Sequence, residues 1–210
     1  ILRRVVTRGL NHRIKVKKTG VDWLGEIPEH WNISRVKNEF INLDHKRIPL
    51  SSTQRGSMKS RQFDYYGATS VIDKVDDYLF DDDLILIAED GANLVLRNLP
   101  LVIIAKGKYW VNNHAHILKP RRGNINYWAN LLECINYQPW ITGAAQPKLT
   151  QDHLMSIPIC VPPPSEQNEI NDWIENNTNW FTKKIVLLRN EISYIQGYHS
   201  RMISDLVSVK

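Results

Sequence analysis

The chain has 210 residues, 42% of them hydrophobic and 23% charged, which suits one good-sized globular domain or a domain with an appendage. Ten glycines and ten prolines exclude a collagen-like or low-complexity chain, no apolar run is long enough for a transmembrane helix, and two cysteines, Cys134 and Cys160, supply neither a disulfide framework nor a four-cysteine zinc site. The net charge of +5 is uneven: residues 1–20 hold seven cations and no acid, so residues 21–210 carry a net −2. Residues 1–20 read as a basic lead-in without the apolar core of a secretory signal. Starting at Ile1 rather than Met, the chain reads as a processed product or an excised fragment. Residues 21–31, from Val21 to Trp31, concentrate Trp23, Pro28 and Trp31, and predict an irregular clasp packed on a core. Residues 32–160 predict a mixed, strand-rich domain, in which Leu84–Ala88 and Leu101–Ala105 have strand length and β-branched content. Trp128, Leu131, Leu132 and Ile135 fall at i, i+3, i+4 and i+7, predicting a short helix over 127–137 that Pro139 ends. Pro158, Pro162, Pro163 and Pro164 predict an extended linker. Ser165 then predicts an N-cap, with Glu166, Gln167 and Glu169 in the first helical turn.

Beyond that point the apolar period becomes a heptad. Phe181, Ile185, Leu188, Ile192, Ile195, His199, Met202, Leu206 and Val209 are spaced alternately by four and three, with Ile174 and Thr178 extending the stripe upstream. One helix over 165–210 would be about 69 Å long, more than a small domain needs for its own core, so the stripe is expected to pack on another long helix from a second copy or a second half. His199 in the seam is a candidate for fixing register. Ile1–Thr7 loosely echoes Met202–Ser208, as expected of one unit cut from a tandem array of domain plus helix. The expected fold class is thus α+β: a strand-rich domain followed by one long coiled-coil-forming helix. The expected division is a lead-in at 1–20, a domain at 21–164 and the helix at 165–210.

The familiar nucleotide and catalytic motifs are missing. There is no Gly-x-x-x-x-Gly-Lys-Ser/Thr loop, no Gly-x-Gly-x-x-Gly, and no Asn-Pro-Pro-aromatic run of the kind that holds a flipped base. A nuclease core of an acid two residues before a strand lysine fails at Lys106 and Lys108, preceded at that spacing by Ile104 and Lys106. His114 and His116 would share a face if on one strand, which leaves a metal site with Glu89 or Asp90 as an alternative; the plainer reading is a hydrogen-bonded structural pair. Glu89-Asp90-Gly91 reads as a turn.

Charge comes in blocks: five cations and no acid at 46–63, nine acids against Lys74 at 64–90, and six cations and no acid at 91–130. Three polar segments carry residue types that suit DNA, where Arg and Lys hold phosphate or guanine, amides read adenine, and hydroxyls do either. The first offers Lys46, Arg47, Ser51, Ser52, Gln54, Arg55, Lys59, Arg61, Tyr65 and Tyr66; the second Lys106, Lys108, Tyr109, Trp110, Asn112 and Asn113; the third Gln146 and Lys148.

Four stretches together are similar to a known family. They are Gly20–Trp31 at the start of the domain; Ala88–Asn93; Tyr109–Leu118; and Gln146-Pro147-Lys148-Leu149 followed by Ile157–Gln167. The chain resembles the DNA-specificity subunit of type I restriction-modification systems, over nearly its whole length. Residues 1–12 look like the end of such a subunit's conserved helix. The resemblance implies a non-catalytic, cofactor-free, cytoplasmic protein that binds double-stranded DNA and recruits DNA methyltransferase (M) subunits and a restriction (R) subunit. In a full subunit two target-recognition domains, each followed by a long helix, read a bipartite gapped site. This chain has one of each and looks like a half-subunit or the second half of a full one, to be completed through the helix by a second copy or half. Because the Glu89–Asn93 and Tyr109–Leu118 motifs look like subtype features, base reading is expected mainly from 46–66, with Gln146–Lys148 second. Two other readings remain: a structural coiled-coil adaptor with non-specific DNA affinity, and a metal-dependent nuclease using His114 and His116.

Overall fold

The computed structural model describes residues 1–143 and 145–208, without the side chains of 181–183, 185–186 and 199–208. In chain order, α1 (Leu2–Arg8) leads to a two-stranded ribbon, β1 (Val16–Lys18) and β2 (Glu26–Pro28), and then to β3 (Asn32–Arg35), α2 (Val36–Glu39) and β4 (Phe40–Asn42). Next come α3 (Ser52–Gly56), β5 (Phe63–Tyr66), β6 (Val71–Val75), β7 (Phe80–Asp81) and β8 (Leu84–Ala88). They are followed by α4 (Asn93–Leu96), β9 (Val102–Ala105), β10 (Lys108–Val111), β11 (Ala115–Pro120) and α5 (Ile125–Glu133). β12 (Ile141–Thr142), β13 (Lys148–Leu149), α6 (Gln151–Ser156) and β14 (Pro158–Val161) lead to α7 (Pro164–Ser208). The architecture is α+β and strand-rich with a long terminal helix.

Two four-stranded sheets form the centre. One, in the order β4–β11–β8–β9, is antiparallel throughout. The other, β6–β5–β10–β7, is mixed, with β5 and β10 parallel. Leu84, Leu86, Ala105, Ala115 and Ile117 of the first pack on Phe80, Tyr109 and Val111 of the second. Side chains alternate across a strand, so Ile85 and Ile87 point to the other face, where α5 packs against β8 and β9. Cover on both faces explains why Leu84–Ala88 is a continuous apolar run rather than an alternating one.

The helix expected over 127–137 starts and stops earlier. Asn124 caps it, its side chain accepting the N–H groups of Asn126 and Tyr127 at 2.9 and 3.2 Å. At the far end the Arg97 guanidinium takes the carbonyls of Glu133 and Ile135, and Ile135 stays buried beyond the last turn. The linker expected over 158–164 is half strand: β14 pairs antiparallel with β3 and buries Ile159, Cys160 and Val161. Its proline stands at the first strand position, where the missing N–H costs little. α7 begins at Pro164 rather than after Ser165, with proline in its favoured first helical position.

Contacts divide the chain into a compact unit, Ile1–Ile170, and a second unit that is the helix from Asn171 onward. Within the first, α1 packs against α5, and the Tyr127 hydroxyl donates to the Val6 carbonyl at 3.0 Å. The aromatic clasp is closed by two indole N–H groups, Trp23 to the Pro158 carbonyl at 2.9 Å and Trp31 to Glu166 at 3.0 Å. Glu166 also bonds His30 at 2.6 Å, so the first turn of α7 is built into this unit.

Candidate nucleic-acid interface

The buried carboxylate of Glu89, at the end of β8, is where two of the three polar segments meet. One oxygen accepts from Arg47 at 2.5 Å and the other lies 3.1 Å from the Lys148 ammonium. The backbone repeats the join: Leu149 N–H donates to the Glu89 carbonyl at 2.8 Å, and Gly91 N–H to Pro147 at 3.0 Å. Gly91 makes that turn with φ +101°, a left-handed conformation suited to glycine. Arg47 goes on to the carbonyls of Ala115 at 2.8 Å and Asp44 at 3.1 Å. Asp44 accepts from Ile117 N–H at 2.7 Å and from His116 Nδ1 at 2.6 Å, while His116 Nε2 lies 2.8 Å from the Leu149 carbonyl. Burial pushes the Glu89 and Asp44 carboxyls up, but their hydrogen bonds and neighbouring positive charge outweigh it. Arg47, His116 and Lys148 hold Glu89 below the usual range, and His116, Asn42 and Ile117 do the same for Asp44.

Asp44, Glu89 and His116 place one ligand atom each within 4.8 Å of one another, the spacing of a metal site. A guanidinium already lies between the two carboxylates, however, 2.5 Å from Glu89 and 3.6 Å from Asp44. Opposite charge is thus supplied by the chain itself. His114 bonds a different acid, Asp90, at 2.9 Å, so the two histidines do not share one set of ligands. The donor set fits a charge-balanced structural cluster better than a hydrolytic metal centre.

The remaining segment, the one with Lys108 and Asn112, joins at Ile48, whose carbonyl accepts from Trp110 Nε1 at 2.6 Å. α3 follows, opened by a capping box. Ser51 Oγ accepts from Gln54 N–H at 3.2 Å, and Gln54 Oε1 accepts from Ser51 N–H at 2.8 Å. The acidic block holds this basic segment in place. Asp73 on β6 pairs with Arg55 at 2.9 Å and also with Arg61. Asp76 accepts the backbone N–H groups of Lys59 at 3.0 Å and Arg61 at 2.6 Å. These bonds lower the carboxyls of both aspartates. Arg61 sits at φ +47°, a conformation that side chains adopt rarely, so the turn is held by Asp76 rather than by preference.

The candidate DNA-binding residues thus fall into two groups. Arg47, Arg55, Tyr65 and Asn112 are turned to internal work: Tyr65 lies under the Arg55 guanidinium and accepts from Leu50 N–H at 3.1 Å, and Asn112 accepts from His114 N–H at 2.8 Å. Tyr66 packs edge-on against Tyr109, and its hydroxyl is raised, chiefly by burial. Lys46, Ser52, Gln54, Lys59 and Gln146 are exposed, and the ammonium groups of Lys46 and Lys59 have no partner among the described residues. Arg61, Lys108 and Lys148 are also exposed but each is paired with an acid, Lys108 with Asp81 at 4.0 Å. Of the neighbouring amides Asn112 and Asn113, Asn112 is buried and Asn113 is exposed. The clamp residues Asp73 and Asp76 had a signal in the sequence, the acidic block that follows the basic one.

In the second unit, Leu188, Ile192 and Ile195 of the expected seam are exposed on α7, at 44%, 55% and 68%. Phe181, Ile185, His199, Met202 and Leu206 lie outside the described side chains. Among the described residues no helix is long and apolar enough to cross a membrane.

Comparison with known proteins places this geometry. Residues 28–192 match the family model of the type I restriction modification DNA specificity domain. The chain is 36% identical over 135 residues to a Haemophilus influenzae protein named "Putative type I restriction enzyme specificity subunit S.HindORF215P", covering 63% of this chain and 34% of that one. Its fold is similar to the type I restriction-modification S subunit from M. genitalium, with TM-score 0.55 and 14% identity over 74% of this chain and 42% of that one. It is also similar to the HsdS subunit from Thermoanaerobacter tengcongensis, with TM-score 0.52 and 14% identity over 87% of this chain and 44% of that one. The chain therefore spans about a third of its curated relative and less than half of these solved subunits. With more than half of its length matched, it belongs to the family of type I restriction modification DNA specificity domains.

Proposed function

We propose that this chain reads one half of a bipartite, gapped DNA site and directs adenine methylation and restriction carried out by partner subunits. In this reading it catalyses nothing itself and needs no cofactor. Residues 21–164 are the target-recognition domain, 1–20 a basic lead-in that opens with the end of a preceding conserved helix, and 165–210 the spacer helix that docks M subunits. Its setting is the cytoplasm, and an R subunit joins the complex for cleavage. A second copy or second half pairs through the seam that includes Leu188, Ile192 and Ile195. The observation that carries the reading is the convergence of three polar segments on Glu89 and Ile48, leaving Lys46, Gln54, Asn113 and Gln146 exposed beside them. Exposed amides suit base edges and unpaired ammonium groups suit phosphates.

The test is selection of bound duplexes from a random DNA pool near physiological salt, with and without the cognate M subunit. A gapped two-part motif is the expected result. Binding without any enriched motif would replace this reading with a charge-driven adaptor, and DNA cleavage by the chain alone would replace it with a nuclease.

A further inference from the structure

The Glu89 carboxylate makes two bonds that no other side chain could make from its place. One oxygen holds Arg47, in the segment that runs into α3 and Gln54; the other holds Lys148, in the loop that carries Gln146. Glu89 itself is fixed from behind, since its N–H donates to the His114 carbonyl at 2.9 Å and its side chain is 11% exposed. Two residues 101 positions apart in sequence, Arg47 and Lys148, are therefore referred to one rigid point. The titratable groups facing it are Arg47 and Lys148, with His116 at 3.8 Å and Asp44 reached through both Arg47 and His116.

We propose that Glu89 is a specificity-positioning residue: it sets the distance between the two DNA-reading segments, and so the register of the bases they read, without touching DNA. This rests on the DNA-reading function proposed above. The physical argument is one of valence. A carboxylate has two equivalent acceptor oxygens, enough for two cationic donors. An amide of the same shape has one acceptor oxygen, and its NH2 end repels whichever cation remains. The Glu89→Gln side chain can hold Arg47 or Lys148 but not both, leaving the other segment to its backbone and carbonyl contacts, and Glu89→Asp lacks the reach of one methylene. Lys148→Met cuts one arm alone, at a side chain already half exposed, where folding is safe.

The experiment compares wild type, E89Q and K148M by duplex selection and by amide hydrogen exchange. E89Q should lower discrimination between the enriched motif and a single-mismatch duplex by about tenfold, the scale of one lost readout contact. It should also speed exchange in either 46–50 or 143–149. K148M should blur only a subset of the positions that E89Q blurs, and speed exchange only in 143–149. A folded E89Q with the wild-type motif and wild-type exchange overturns the proposal. If E89Q does not fold, K148M decides: an unchanged motif and unchanged exchange overturn it equally. A wild type that enriches no motif removes the DNA-reading function instead, and exchange then still decides whether Glu89 couples the two segments.

Discussion

Gln54 is exposed, and only the carbonyl end of its side chain is bonded to the protein. Oε1 accepts from the Ser51 backbone and lies 3.0 Å from Ser51 Oγ, which freezes the side chain, while Nε2 has no partner among the described residues. A pre-ordered amide loses little rotamer freedom when it meets a base, so its contact retains most of its energy. Gln54→Ala should weaken binding to the cognate duplex by about 1–3 kcal/mol and to a scrambled duplex by less, as read by titration of both. The buried carboxylates make a different prediction. Asp44 and Glu89 are both held below their ordinary pKa in the folded state. A depressed carboxyl contributes stability that is present above its unfolded value, about 4, and is lost as pH falls through the lower folded value. Urea unfolding from pH 7 down to pH 3 should therefore show wild type losing stability more steeply than Glu89→Gln. Parallel pH profiles would mean that the Glu89 ion pairs contribute nothing to folding.

At the scale of elements, the first turn of α7 is anchored by one buried amide. Gln167 Oε1 accepts the Asn124 N–H at 2.9 Å and Nε2 donates to the Pro162 carbonyl at 3.1 Å, tying the cap of α5 to the start of α7. Gln167→Ala leaves both backbone groups without their partner and should cost about 1–3 kcal/mol, measured by the shift in urea midpoint. Further along, Ile192 is half exposed on the apolar seam. If that seam pairs, Ile192→Asp should abolish self-association in sedimentation runs while the circular dichroism of the domain persists; a variant that still associates would remove the pairing role. The elements differed in how openly the chain advertised them. Leu84–Ala88 was legible because a strand covered on both faces needs an unbroken apolar run. β14 is not legible, because Pro158 and Pro162–Pro164 around Ile159, Cys160 and Val161 suit an extended linker as well as a strand, and only the partner strand at Asn32–Arg35 decides between them. At the site, residue type said that Arg47 and Arg55 were cations but not that Glu89 and Asp73 would claim them, since those acids lie 42 and 18 residues away in sequence.

For the whole molecule the sum of charge matters less than which charges are left unpaired. The acidic block at 64–90 does not form a separate negative face: Asp73, Asp64, Asp82 and Glu89 hold Arg55 and Arg61, Lys74, Lys119, and Arg47 and Lys148. Among the described residues of the first basic segment, the ammonium groups of Lys46 and Lys59 remain free for a polyanion. Paired cations cannot release a DNA counterion without first giving up an internal partner, whereas unpaired ones can, and each such contact steepens the dependence of log affinity on log salt by about 0.9. Lys46→Ala with Lys59→Ala should therefore flatten that slope by roughly two and weaken cognate and scrambled duplexes equally. Arg55→Ala should behave otherwise, because Arg55 stacks on Tyr65 and bonds Asp73 and the Leu50 carbonyl; its loss loosens α3 and shows in stability before it shows in the slope. Filter binding from 50 to 300 mM salt separates the two cases. A slope unchanged in the double lysine variant would move the phosphate contacts to other exposed cations, such as Lys18 of β1 and Arg13 and Lys15 just before it, and would place the DNA backbone against β1 rather than beside the loops that surround Glu89.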